Sequence, residues 1–134
     1  MHIVVINPNT TASMTRLIGE SAEAVAATGT VITAVNPDMG PASIESHYDE
    51  ALSVPGLLTE IARAQAGEPR ADGFVIACFG DPGLHAAREL ADGPVVGIAE
   101  AAMHAASFLG RGFSVVTTLG RTAGGHGTSP SATA

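Results

Sequence analysis

Four short aliphatic runs divide the chain, and longer stretches with apolar residues at helical spacing lie between them. The runs cover residues 3–6, 31–35, 73–77 and 95–98. A continuous aliphatic run is typical of a parallel strand that is buried on both faces. The sequence therefore predicts four buried strands at these positions.

The stretch after the first run predicts a helix with a hydroxyl cap. Thr10, Thr11 or Ser13 is expected to accept the hydrogen bond that caps the first helical turn. Apolar residues then recur on one side until about residue 27, and Gly29 follows as a stop. This helix connects the first two strands.

Three further helices are predicted between and after the later strands. The second covers about residues 48–66, and Pro55 followed by Gly56 predicts a break in it or two shorter helices. The third covers about residues 82–90 and the fourth residues 99–109.

The order of these elements defines the fold class. Strands that alternate with helices predict an α/β fold, here a Rossmann-like parallel sheet of four strands with helices on both faces. Residues 113–118 offer a fifth strand, and residues 38–48 have no period and predict a long loop at the sheet edge. From residue 119 onward Gly, Ser, Thr and Ala predominate, which is typical of a flexible tail.

Composition and charge narrow the function classes. The 134 residues suit one domain, and with 46% hydrophobic but only 4% aromatic residues the core must consist of Ala, Val, Ile and Leu. All six basic residues are Arg, which excludes a Schiff-base lysine or a phosphate-loop lysine from this chain. Thirteen acidic residues bring the net charge to -7, so neither nucleic acid nor an anionic membrane is an expected partner.

The single cysteine and the N-terminus indicate a cellular compartment. One Cys makes no internal disulfide, which is typical of a reducing environment. The N-terminal apolar run is too short for a signal peptide or a membrane span and has no basic region before it. We therefore expect a cytoplasmic protein.

Histidine and glycine spacing argues against a metal or a dinucleotide. His85 and His104 fall within predicted helices, and no His pair has metal-ligand spacing with a third ligand. The first strand ends in NPNTT rather than in a GxGxxG fingerprint. No metal and no dinucleotide cofactor are expected from this spacing.

Candidate chemistry concentrates where the strands end, because open parallel sheets bind ligands at the carboxyl edge. Residues 7–10, the 38–48 loop and residues 78–81 all belong to that edge. Cys78 lies between a strand and a helix, where backbone N–H groups and the helix dipole favour the thiolate, so it is a candidate nucleophile or base. The alternative is a small, inert core residue.

The polar residues at this edge have a functional and a structural interpretation. Asn7 and Asn9 offer amide donors to a carbonyl or carboxylate, and Thr10 adds a hydroxyl. A turn followed by a helix cap explains the same residues. Asp81, in an Asp-Pro-Gly turn, is expected to be a turn or cap residue rather than an acid catalyst, and His47 lies in the loop beside the site.

Four motifs in register resemble a known family. VVINPNTTASMT, GPASIESHYDEA, IACFGDPGL and PVVGIAEAAMHAA are similar to the N-terminal half of the Asp/Glu/hydantoin racemase family, and closest to its hydantoin racemase branch. The resemblance covers about residues 3–118. It implies a cofactor-independent isomerase of two similar α/β domains, with one cysteine from each domain in the cleft between them.

The resemblance also assigns residues to the site. Cys78 becomes the first of the two cysteines, and Asn7 with the backbone of Phe79 and Gly80 lies near a carbonyl or carboxylate of a small-molecule substrate. Residues 43–48, which include Ser43 and His47, lie at the edge of the cleft. Asn9 and Thr10 complete the expected substrate-binding set.

The implied reaction is racemisation of a hydantoin or a related amino-acid-derived compound at a carbon next to a carbonyl. One thiol removes the proton from one face and a second thiol returns it on the other, while preorganised donors stabilise the enolate-like intermediate. The second cysteine has no counterpart here, which predicts a truncated chain that is weak or inactive alone. The expected units are a racemase-type domain over residues 1–110, the first strand of an incomplete domain over 111–119, and a tail over 120–134.

Two alternatives stay open at this point. One is a single-cysteine decarboxylase or isomerase of the same superfamily, which the single Cys fits. The other is a non-catalytic α/β domain that binds a small molecule. An unpaired edge strand at residues 113–118 further predicts a homo-oligomer.

Overall fold

A computed structural model describes residues 1–117, and these residues form a four-stranded parallel sheet with helices on both faces. The predicted α/β class is confirmed. In chain order the elements are β1 (His2–Ile6), α1 (Ala12–Val25), β2 (Val31–Val35), α2 (His47–Ala66), β3 (Gly73–Ile76), α3 (Leu84–Leu90), β4 (Val95–Gly97) and α4 (Ile98–Leu109).

The sheet has the strand order β2-β1-β3-β4, and all its pairings are parallel. In this register Ile6, the last residue of β1, lies beside both Val35 and Ile76. The chain adds strands on one side of β1 and then on the other, so the order reverses between β1 and β3. Open parallel sheets bind ligands at such a reversal, next to the carboxyl ends of the strands.

One face of the sheet holds the main core. Side chains along a strand alternate between faces, and those of Val4, Ile6 and Ile76 point to the side covered by α2 and α3. Leu57 and Ile61 of α2 are completely buried against them. This aliphatic layer, with Phe74 as its one ring, is the core that the composition predicts.

The opposite face is covered by α1 and is less filled. Beside α1 runs an open groove of about 710 Å³, which we call the α1 groove. Its lining is almost entirely apolar and includes Ile3, Val5, Met14, Leu17 and Val75. Leu17 is 57% exposed, so the helix leaves part of this sheet face open.

The first helix differs from its prediction at both ends. It begins at Ala12 with Thr11 as the N-cap residue, but the Thr11 hydroxyl makes no cap bond and donates instead to the carbonyl of Ala42 at 2.6 Å. It ends at Val25, because the chain leaves the helix at Ala26 with extended backbone angles. Gly29 then takes a positive φ of 86°, as a stop residue does.

The second helix is continuous, so the predicted break at Pro55 and Gly56 is wrong. Pro55 lacks one hydrogen-bond donor, yet the helix runs through it to Ala66. Leu57 and Ile61, which follow Pro55 in the helix, are completely buried, and their packing outweighs one lost backbone hydrogen bond. The helix begins at His47, where the Ser46 side chain caps it by accepting from the Asp49 N–H at 3.1 Å.

The predicted fifth strand is not found in the part of the chain that the structure describes. Residues 113–117 pair with no strand of this sheet, and a strand requires such a partner. Residue 118, the rest of the expected second-domain strand and the tail over 120–134 lie outside the described residues. Among the helices of residues 1–117, none is long and apolar enough to cross a membrane.

Candidate active site

Backbone hydrogen bonds join the chain segments that follow β1 and β3 to the neighbouring strands. The Asn7 N–H donates to the Val35 carbonyl at 2.9 Å, and the Ala77 N–H donates to the Ile6 carbonyl at 2.8 Å. These bonds extend the ladders by one residue past each strand. Cys78 therefore begins its loop at the point where the strand order reverses.

The loops after β1 and β2 are also joined to each other. Thr10 donates its N–H to the Pro41 carbonyl at 3.0 Å, and its hydroxyl lies 3.5 Å from the same oxygen. The bond from Thr11 to Ala42 adds a third link. The sequence predicted that these loops share one edge, and the structure brings them into direct contact.

Cys78 is a free thiol, half-buried at the carboxyl end of β3. Burial raises the pKa of this thiol above its ordinary value, and the Gly80 backbone N–H, which stabilises the thiolate, only partly offsets that effect. The negative charges of Glu50 and Asp81 raise the pKa further. The expected bias toward the thiolate is therefore not found for Cys78, because burial and the charges of Glu50 and Asp81 outweigh the effect of the Gly80 N–H.

Asn7 and Asn9 form a buried amide network. The Asn7 amide donates to Asn9 Oδ1 at 2.9 Å and to Thr15 Oγ1 at 3.0 Å, and Asn9 Oδ1 also accepts from the Thr11 N–H at 2.9 Å. Asn7 is 1% exposed. Both amides thus hold the loop between β1 and α1, and substrate binding by them stays a prediction.

Ser43 and His47 lie on the outer rim of this edge. The Ser43 hydroxyl donates to Glu45 Oε1 at 3.0 Å. His47, expected in a loop, is the first residue of α2, and its Nδ1 lies 3.2 Å from Glu50 Oε2. Both side chains are exposed, so they stand where a ligand at the edge would meet solvent.

Phe79 and Gly80 follow the thiol directly. The Phe79 side chain is 46% exposed. A methyl group placed on Gly80 would meet no atom within 4 Å, so this glycine faces open space. The outward-facing part of the predicted site therefore lies where the strand order reverses, and it consists of Cys78, Phe79 and Gly80.

Glu50 is a further candidate for the site, which the sequence did not indicate. It lies in the first turn of α2, and its charge acts on Cys78. The sequence offered one signal for Glu50: it lies in the first turn of the helix that follows the predicted loop, and therefore close to the strand ends. The sequence interpretation took that loop as far as Tyr48 and did not extend the site into the helix.

Asp81 acts as a cap, as expected, but of a helix far along the chain. Its carboxylate accepts hydrogen bonds from the N–H groups of Ala99 and Glu100 in the first turn of α4. The helix that directly follows it, α3, is entered through Gly83 and has no side-chain cap. Within residues 1–117, no group of three or more His, Cys, Asp or Glu side chains is placed to hold a metal ion.

Comparison with known proteins defines the family. The sequence model of the Asp/Glu/hydantoin racemase family matches residues 3–128, which extends past the motifs noted above. The hydantoin racemase of Pseudomonas sp. (strain NS671) is 59% identical over 121 residues, which is 90% of this chain and 48% of that protein. The hydantoin racemase of Paenarthrobacter aurescens is 52% identical over the same length and is covered to 51%.

Solved structures show the same fold. An allantoin racemase from Klebsiella pneumoniae is 60% identical with a TM-score of 0.86, and the match covers 91% of this chain and 49% of that one. Allantoin racemase from Pseudomonas fluorescens is 42% identical with a TM-score of 0.83, covering 91% and 51%. The chain spans about half the length of these relatives. With the family model matched over nearly all of it, this chain belongs to the Asp/Glu/hydantoin racemase family.

Proposed function

We propose that this chain supplies one half of the active site of a cofactor-independent racemase, in which Cys78 moves a proton at a carbon next to a carbonyl. One observation carries the proposal: a free, half-buried thiol lies at the strand-order reversal, and the Gly80 backbone N–H favours its ionised form. A proton-transfer group needs both access to the substrate and a donor that stabilises its charged form.

The substrate class we propose is a 5-substituted hydantoin. The curated relatives are hydantoin racemases and the similar solved structures are allantoin racemases. Allantoin is itself a hydantoin ring with a ureido group on C5, so the two names share one chemistry. The hydrogen on C5 is acidified by the adjacent C4 carbonyl.

The proposed reaction is a balanced proton exchange. A thiolate takes the C5 proton and forms an S–H bond, while the C–H electron pair moves onto the carbonyl oxygen to give an enolate. A second acid then returns a proton to C5 from the opposite face. Nothing is oxidised or reduced, so the step needs no redox partner.

Cys78 is best suited to begin as the proton donor of the pair. Its raised pKa keeps the thiol protonated at neutral pH. After donation, the Gly80 N–H stabilises the thiolate that remains. The backbone of Phe79 and Gly80 borders the carbonyl, and Asn7, Asn9, Thr10, Ser43 and His47 form the proposed wall of the substrate site.

The other proton-transfer group of the pair is not a cysteine of this chain, because Cys78 is its one cysteine. We therefore propose that the chain alone is weak or inactive as a racemase. The same count fits single-thiol chemistry, which a decarboxylase or isomerase of the superfamily would use. We also propose a cytoplasmic location and self-association of the chain.

Deuterium exchange tests the function directly. One enantiomer of a 5-substituted hydantoin is incubated with the chain in deuterated water, and C5 deuteration and optical rotation are followed above the spontaneous rate. Exchange that disappears in Cys78→Ser but persists in the exposed control Ser13→Ala supports the proposal. Exchange above the spontaneous rate that is equal in all three proteins contradicts the role of Cys78, and saturable binding without exchange supports a non-catalytic binding domain instead. Carbon dioxide release from an arylmalonate would identify the decarboxylase.

A further inference from the structure

We propose that Asp81 is a positioning residue for Cys78, which holds the turn over residues 78–81 against the first turn of α4 and thereby keeps the Gly80 N–H on the thiol. The proposal rests on the proposed role of Cys78 in proton transfer. Asp81 itself does not contact the substrate in this scheme.

The side chain of Asp81 ties two distant parts of the chain together. Its Oδ1 accepts from the Ala99 N–H at 3.0 Å, and its Oδ2 accepts from the Glu100 N–H at 2.7 Å. Hydrogen bonds to an ionised carboxylate are stronger than neutral ones. The residue before α4 is Gly97, which has no side chain to cap it, so Asp81 supplies the cap that α4 lacks.

The backbone of Asp81 closes the turn that contains the thiol. Its N–H donates to the Cys78 carbonyl at 3.0 Å, and its own carbonyl accepts from the Leu84 N–H at 3.2 Å. Asp81 has a positive φ of 45° and is the one non-glycine residue with positive φ among residues 1–117. Such a conformation is unfavourable and persists only where surrounding contacts determine it.

Gly97 leaves the space that this arrangement needs. A Cβ built on Gly97 would overlap all three atoms of the Asp81 carboxyl group. Any larger residue there would push the carboxylate away from the start of α4. Gly97 therefore provides a second way to disturb Asp81 without removing its charge.

Two opposite effects of Asp81 on the thiol make the role measurable. Through the turn, Asp81 keeps the Gly80 N–H in place, which lowers the pKa of Cys78, and through its own charge it raises that pKa by a smaller amount. The other charged group that acts on the thiol is Glu50 of α2, which none of the variants below changes. Cys78 stays at the sheet edge in each variant, because the preceding Ala77 N–H is bonded to β1.

The test is the pH profile of Cys78 alkylation by iodoacetamide. The chain has one cysteine, so the rate reports this thiolate alone. We expect Asp81→Ala and Gly97→Ala to move the profile to higher pH, with alkylation about threefold or more slower at neutral pH. Asp81→Asn loses the charge but keeps one of the two oxygens that accept from α4, so the turn stays joined to α4 and the profile should move to lower pH.

Glu89→Gln is the matched control, because it removes an exposed carboxylate from α3 that does not act on Cys78. The proposal is overturned if Asp81→Ala matches this control, or if it shifts in the same direction as Asp81→Asn. Should Asp81→Ala fail to fold by circular dichroism, Gly97→Ala and Asp81→Asn still give opposite expected shifts. Alkylation requires no turnover. A failure of the proposed racemase function would appear in the exchange assay, and a failure of the positioning role would appear in the alkylation profile.

Discussion

The Asn7 amide donates a hydrogen bond to the Thr15 hydroxyl at 3.0 Å, and both side chains are buried. The Thr15 hydroxyl in turn donates a hydrogen bond to Asn36 Oδ1 at 2.7 Å. The network therefore extends from the end of β1 through α1 to the end of β2. These polar contacts connect the chain segments at the carboxyl ends of β1 and β2 through α1.

Removing the Asn7 amide should destabilise the fold. In Asn7→Ala, the buried N–H of Asn9 loses its acceptor, and the side chains of Asn9 and Thr15 each lose a donor, so a cost of about 2 kcal/mol is expected. Chemical denaturation of the variant against wild type measures the change. Ser13→Ala, an exposed change in the same helix, should stay within about 0.5 kcal/mol, and an equal loss in both variants would contradict a network role for Asn7.

Neutralising Glu50 should make Cys78 easier to ionise. A negative charge disfavours a second one nearby, so Glu50→Gln is expected to lower the pKa of the Cys78 thiol. The pH profile of the thiolate ultraviolet absorbance should move to lower pH. Glu20→Gln, on the exposed side of α1, should leave the profile unchanged, and an unmoved profile in Glu50→Gln would remove Glu50 from the site.

The thiol also predicts a loss of stability in alkaline solution. Burial raises the pKa of Cys78 in the folded chain. The protonated thiol therefore contributes fully to stability below the ordinary thiol pKa, and this contribution is lost as the pH rises through the pKa of the folded chain. Wild type should therefore lose free energy of unfolding relative to Cys78→Ser across that window. Parallel curves for the two proteins in urea denaturation would show that the folded and unfolded pKa values are the same.

The ion pair between Arg88 and Glu100 joins α3 to α4 and should set the pKa of Glu100. The hydrogen bond from Arg88 to Glu100, at 2.5 Å, is the main reason that the pKa of Glu100 lies below its ordinary value. The ionised Glu100 carboxylate stabilises the fold fully at pH values above the ordinary pKa of Glu. This stabilisation is lost as the pH falls through the lowered pKa of Glu100 in the folded chain. In an NMR titration, Arg88→Ala should raise the pKa of Glu100, while Arg16→Ala, from the exposed pair with Glu20, should not.

Alanine substitutions at two neighbouring positions in α2 should change the free energy of unfolding in opposite directions. Pro55 is exposed, and Pro55→Ala restores a helical donor, so we expect a gain of about 1 kcal/mol. A Cβ on Gly56 would lie 2.8 Å from the Met39 carbonyl and from Pro37 Cβ, so Gly56→Ala should cost about 1–3 kcal/mol despite its better helix propensity. Thermal unfolding measures both, and a gain in Gly56→Ala would show that the loop after β2 yields freely.

Exposed apolar side chains near the end of the described chain are expected to promote self-association. Phe108 and Leu109 are 86% and 88% exposed, and Val116 is 95% exposed. Large exposed apolar groups favour association. Sedimentation velocity should show concentration-dependent dimers or larger species that decrease in a Phe108→Ser, Leu109→Ser double variant. A monodisperse monomer at all concentrations would contradict this expectation.

The site could be predicted only in part, for identifiable physical reasons. Loops that follow parallel strands must meet at one edge, so the sequence placed Cys78, Asn7 and the loop after β2 together correctly. It missed Glu50, because the direction of a side chain on a helix depends on how that helix packs. It also missed the partners of Asp81, because a contact across eighteen residues has no local pattern.

The sequence by itself determined the four strands, their parallel arrangement and the family, because buried aliphatic runs and ordered motifs are local properties of the chain. Tertiary structure decided that α2 passes unbroken through Pro55, since core burial around Leu57 and Ile61 outweighs one missing hydrogen bond. It also decided the state of Cys78: burial and two carboxylates drawn in from other segments raise its pKa, and only folding brings those groups to the sulfur.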